Sequence, residues 1–122
     1  MRRPERLAEA LREEITEVVG FEMEDPRLLG VTVTDVVVAD SLREAKVFVV
    51  VQGEESEIKE ALKALQHAAS FVRQQVAMNL ELNHAPVLNF VRDTVEENAA
   101  RVAELLQGLE QKGEFSERMN DE

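Results

Sequence analysis

The apolar positions of this chain change period several times, and each change marks an element. Over the first 22 residues Leu7, Leu11, Ile15, Val18 and Val19 recur at spacings of three and four. That is one apolar stripe of an amphipathic helix running to about Glu22, with Pro4 suited to its first turn. Glu9, Glu13, Glu14 and Glu17 lie largely off the stripe and read as a solvated face rather than paired catalytic carboxylates. "EDPRLLG" (24–30) breaks the pattern: Asp25-Pro26 is turn chemistry and Gly30 closes the segment.

"VTVTDVVVA" (31–39) is rich in β-branched residues and alternates at first. "ADSLRE" is a turn, and "AKVFVVV" (45–51) is a second strand with Val47, Val49 and Val51 on one face. The short connection favours an antiparallel hairpin. "QGEES" leads into a helical region in which Ile58, Leu62, Leu65, Ala69, Val72, Val76 and Leu80 keep their spacing. "APVLNFVR" (85–92) is a third strand, with Leu88 and Phe90 on one face. Thr94-Val95-Glu96-Glu97 has capping-box spacing and starts a last helix through Val102, Leu105 and Leu106, ended near Gly108 or Gly113. The order predicts one small α+β domain, residues 1–108, with helices on one face of a three-stranded sheet. Residues 109–122 are an acidic tail expected to be disordered.

The long helical region leaves a choice open. From Ile58 to Leu80 a straight helix is roughly 35 Å long, whereas a strand of seven or eight residues is about 25 Å. A bend at the small residues Ala68-Ala69-Ser70 would lay both halves on the sheet. A straight helix with an alanine patch against a neighbour satisfies the same periodicity.

Composition narrows the chemistry. There are no cysteines, so disulfides, thiolate metal sites and cysteine nucleophiles are excluded, which suits a reducing cytoplasm. No apolar run approaches the ~20 residues of a membrane span, and the arginine-led start is not expected to be a secretory signal. His67 and His84 are the only histidines; without HxxxH or HxH spacing no metal site is expected. No P-loop, GxGxxG or nucleophile–base constellation is present, so neither enzyme chemistry nor a cofactor is predicted.

Charge changes the picture more. The formal net charge is −11, which argues against strong non-specific RNA binding. The excess is uneven: residues 1–53 carry net −4, residues 54–92 net −1 and residues 93–122 net −6. The candidates for phosphate contact are Arg2, Arg3 and Arg6 at the start, Lys63 and Arg73 off the apolar stripe of the long helix, and Arg43 and Lys46 by the hairpin. For Arg43, Lys46 and the turn residue Arg27, ordinary surface solubility is the preferred reading. Phe48, Phe90 and Phe71 read as core.

These segments together resemble a known family. "RRPERLAEALREEI", "DPRL" (25–28), "VTVTDVVVA", "AKVFV" (45–49), "ALQHAASFVR" (64–73), "APVLNF" and "DT" before the last helix are similar, in order and spacing, to the ribosome-binding factor A family. The resemblance implies a K-homology type II fold, in which a helix kink replaces the nucleic-acid-clamping GxxG loop. The family's kink is Ala-x-Gly; the matching residues here are Ala68, Ala69 and Ser70, with serine in place of glycine. Serine can bend a helix by bonding back to a carbonyl one turn earlier. The resemblance further implies a small-ribosomal-subunit assembly factor that binds 16S rRNA and assists processing of its 5′ end, with a role in growth at low temperature. The RNA-facing element would be the kink with Lys63 and Arg73. Ribosomal-protein contacts are an added expectation, and a monomer is the default. A protein-binding adaptor that has lost RNA contact is the alternative, since "VAMNLELN" (76–83) lacks the basic residues common after the kink.

Overall fold

The computed structural model describes residues 3–94 together with Ala99 and Ala103. Within the compact unit ending at Arg92, helix α1 (Arg3–Glu17) leads to strands β1 (Val31–Val38) and β2 (Glu44–Val51). Helix α2 (Glu55–Asn79) and strand β3 (Val87–Arg92) follow. The expected last helix and the domain end at residue 108 lie outside the described residues.

The α1 stripe does what its spacing predicts: Leu11 and Ile15 are buried. The helix then widens into a π-helical turn, Val18–Glu22, closed by Met23 N–H donating to the Val18 carbonyl at 3.1 Å. Val18 and Val19, three and four residues after Ile15, stay on the buried stripe as the turn begins. At "DPRL", Asp25 caps a 3₁₀ turn (Pro26–Leu28) by accepting from Arg27 N–H at 3.0 Å, and Leu28 drops into the core. Gly30 accepts from Gln52 N–H at 3.1 Å, and a Cβ there would stand 3.0 Å from the Gln52 carbonyl oxygen. The close approach of the two strand ends favours glycine at this point, since a side chain would require Gln52 to shift by a few tenths of an ångström.

β1 and β2 form the expected antiparallel pair, from Val31↔Val51 to Val38↔Ala45. The register shifts between Val33 and Asp35. This bulge explains why "VTVTDVVVA" alternates only at first: Val33 is buried before it, Val36 and Val38 after it. One extra residue moves the inward phase from odd to even positions. β3 pairs parallel to β2, from Glu44↔Val87 to Val49↔Arg92, giving the order β1-β2-β3. A parallel neighbour needs a crossover, and α2 is that crossover.

α2 starts at a capping box. The Glu54 side chain meets the backbone of the first turn, and Glu57 Oε1 accepts from Glu54 N–H at 2.7 Å. Gly53, at φ +131°, makes the turn into it. The helix is hydrogen-bonded as one element through Ala68-Ala69-Ser70. A bend here is therefore one taken within an unbroken helix, not a junction between two helices. Ala68 and Ala69 are half-buried against the core, while Ser70 is exposed. Among the described residues it is Thr16, not Ser70, that bonds back to a carbonyl one turn earlier (Oγ1 to Arg12 O, 2.6 Å). At 25 residues α2 is roughly 37 Å long and outruns the strands. Its end meets α1 instead, where Asn79 Nδ2 donates to Glu14 Oε2 at 2.6 Å. It stops in a Schellman-type cap: Leu82 N–H reaches the Ala77 carbonyl at 2.8 Å, with Glu81 left-handed at φ 55°.

α1 packs chiefly on β1 and α2 on β3. Leu11, Ile15, Leu65, Val72 and Val76 close over Val47, Val49, Leu88 and Phe90. Phe48 is buried as expected, but strand alternation turns it to the face opposite Val47 and Val49. Among the described residues no helix is long and apolar enough to cross a membrane.

Candidate nucleic-acid interface

α2 buries Ile58, Ala61, Ala64, Leu65, Val72 and Val76. The opposite side of the same helix exposes Lys63, His67, Ser70, Phe71, Gln74 and Met78. The charge along it is segregated. Of the 25 acidic residues in the chain, residues 61–92 contain one, Glu81. Glu55 and Glu57 sit in the first turn of α2, where the partial positive charge of the helix end favours them. Glu60 follows in the second turn, 4.0 Å from Arg27; beyond it the outer face to residue 80 carries basic, neutral polar and apolar groups (Phe71, Met78) and no acid. In a chain of net −11 this is a surface that a phosphate backbone can approach.

Arg73 has a second task. Its Nε donates to the Ala85 carbonyl at 2.9 Å and ties α2 to the segment before β3. One of the five guanidinium N–H donors is used this way, and the group remains at the surface. Arg43 reaches the same corner from the hairpin: its carbonyl accepts from Val87 N–H at 2.9 Å. The hairpin turn that delivers it is held by Leu42 N–H on the Ala39 carbonyl (2.8 Å), with Leu42 at φ 65°. Arg43 and Arg73 thus flank residues 85–87, a juxtaposition that sequence order does not reveal.

Other candidates stand apart. Lys46 pairs with Val37 and Asn89 in mid-sheet, half-buried on the face that alternation turns away from α2. Arg3 and Arg6 are exposed on α1. They lie roughly 12–17 Å along that helix from Glu14, where α1 meets the end of α2. Arg2 lies outside the described residues. Arg27 is committed within the protein: Nε and Nη2 bond both Asp25 carboxylate oxygens at 3.1 and 2.8 Å, and Nη1 is 4.0 Å from Glu60. The Arg27 side chain, then its backbone N–H, hold the Asp25 carboxyl below the usual carboxylate range, and Asp25 raises the guanidinium in turn.

Phe71 corrects the sequence reading. It is 44% exposed and does not belong to the core. The signal was available: Phe71 is about 100° around the helix from Val72, which is at the centre of the buried stripe. The dearth of acids over residues 61–92 was equally legible, but a net charge for residues 54–92 averaged it with Glu54, Glu55, Glu57 and Glu60.

A three-stranded mixed sheet in the order β1-β2-β3, with α1 on β1 and α2 as the parallel crossover, is the architecture of a K-homology-like domain. The ribosome-binding factor A family model matches residues 3–106, and the chain belongs to that family. It is 45% identical over 115 residues to the ribosome-binding factor A of Desulfitobacterium hafniense, covering 94% of this chain and 92% of that one. The crystal structure of ribosome-binding factor A from Thermus thermophilus superimposes with a TM-score of 0.66 at 26% identity, covering 75% of this chain and 97% of the other. A homology model of the Thermus thermophilus protein, fitted into a cryo-EM map of its complex with the 30S subunit, matches with a TM-score of 0.54 at 30% identity over 73% and 89% of the two chains.

Proposed function

We propose that this protein is a non-enzymatic, cytoplasmic assembly factor that binds the immature small ribosomal subunit as a monomer and assists maturation of 16S rRNA, including its 5′ end. The observation that carries the reading is the outer face of α2, free of acids from residue 61 to 80 and bearing Lys63 and Arg73. Arg43 extends the basic surface at the start of β3. Binding stabilises one rRNA conformer by differential affinity and needs no covalent chemistry. The 30S complex of the Thermus relative supports the choice of partner. The acidic residues 109–122 limit attachment to unrelated RNA by repelling phosphate; deleting them is expected to raise that affinity.

The test is co-sedimentation with free small subunits over a salt series, using wild type, Lys63→Glu and Arg73→Glu. Salt-dependent binding that Lys63→Glu weakens is the expected result. Arg73→Glu also removes the bond to Ala85, so its thermal unfolding is measured beside it. The alternative, a protein-binding adaptor, draws on the acid-rich outer face of α1. Binding indifferent to salt and to both substitutions would establish it instead.

A further inference from the structure

We infer that Phe71 is a stacking platform for an unpaired nucleobase; this rests on the RNA-binding reading above. The core is complete without the ring, since Leu65, Val72 and Val76 on the same helix are fully buried. A large aromatic left 44% exposed at mid-helix gains nothing from water. Its neighbours on the helix surface are His67, one turn before, and Gln74, one turn after, both exposed. Imidazole and carboxamide each offer a donor and an acceptor to a base edge. Lys63 and Arg73 supply positive charge for the adjoining phosphates, and no carboxylate of residues 61–80 opposes them. A π face, edge-reading polar groups and flanking cations are what single-stranded nucleic acid requires. Among the described residues the other exposed phenylalanine, Phe21 (78%), has the opposite setting, with Glu17, Glu22 and Glu24 close in sequence. It serves as the control.

The experiment uses full-length protein and purified small subunits. Phe71→Leu keeps an apolar side chain and removes the π face; Phe71→Trp enlarges that face. The chain has no tryptophan or tyrosine, so the new indole is the only such reporter in the protein. Phe71→Leu is expected to weaken subunit binding roughly 5- to 100-fold. Phe71→Trp is expected to retain it, with the indole fluorescence quenched on binding, and Phe21→Leu to leave affinity unchanged. Wild-type affinity in Phe71→Leu would overturn the stacking role and leave an apolar protein contact at that position. If salt and Lys63→Glu still weaken binding in that case, the RNA-binding reading stands without the stack. If they do not, both fall. Thermal unfolding of each variant verifies the fold, which an exposed ring is not expected to perturb.

Discussion

α1 and α2 solve the same packing problem and present opposite surfaces. Each buries one apolar stripe against the sheet, Leu11 and Ile15 in one, Leu65, Val72 and Val76 in the other. Outside that stripe α1 exposes Glu5, Glu9, Glu13 and Glu17 interspersed with Arg3, Arg6 and Arg12, whereas α2 beyond its first turns exposes no acid. Packing constrains only the inward face of a helix, so the outward face is free to carry other information. Here it is charge, and the difference separates a side that repels phosphate from one that admits it.

Breaking the inward faces should show their equivalence. Leu11→Ala and Leu65→Ala, both at fully buried positions, are each expected to cost about 2–5 kcal/mol of unfolding free energy in urea denaturation. A much smaller cost at one of them would mean that its helix is not part of the common core.

The outward faces should then respond differently. Lys63→Ala is expected to leave stability within about 0.5 kcal/mol and to lower the slope of log binding constant against log salt by about 1. Glu9→Ala should leave that slope unchanged. Equal slopes for both variants would erase the distinction between the helices.

The two helix ends sharpen the comparison through glycine. At the end of α1, Gly20 has φ outside the left-handed region, and a Cβ added there would meet nothing within 4 Å. At the end of α2, Glu81 holds the left-handed φ of 55° that glycine favours. Gly20→Ala and Glu81→Gly are opposite exchanges, yet each is expected to stabilise by about 0.5–1 kcal/mol. Melting temperatures that fall in either variant would contradict the assigned conformation.

The smallest effect lies between the helices, at Asp25. Its carboxyl is held below the ordinary range by Arg27. A depressed carboxylate contributes stability above its unfolded-state pKa and loses it as the pH falls through the folded one. Asp25→Asn keeps an oxygen for Arg27 N–H and removes the charge. It should melt slightly below wild type at neutral pH and converge with it in acid. The pair is exposed, so the difference is small.

Much of this was legible in the chain. The stripe Leu7–Leu11–Ile15, the strand face Val47–Val49–Val51 and the Leu88–Phe90 face of β3 follow from period alone, because burial repeats with backbone geometry; β3 itself starts at Val87, two residues later than expected. The bulge was visible only as lost alternation after Val33, since a phase shift and a strand end look alike in one sequence. Phe71 was misread because hydrophobicity was weighed ahead of helical angle. Lys46 ranks below Lys63 on sequence grounds, but that it lies on the sheet face turned away from α2 was not legible, since sequence distance says nothing about which side of the sheet a residue takes.

By itself the sequence determined the order of elements, the inward face of each and the concentration of acid away from residues 61–92. These are local properties, written in spacing and composition. Only the tertiary structure decided that β3 joins β2 in parallel, that α2 continues as one helix through Ala68-Ala69-Ser70, and that the Arg43 backbone and the Arg73 side chain both bond to the segment 85–87. Those outcomes depend on which surfaces pack together, and packing brings side by side groups that the chain holds 30 residues apart.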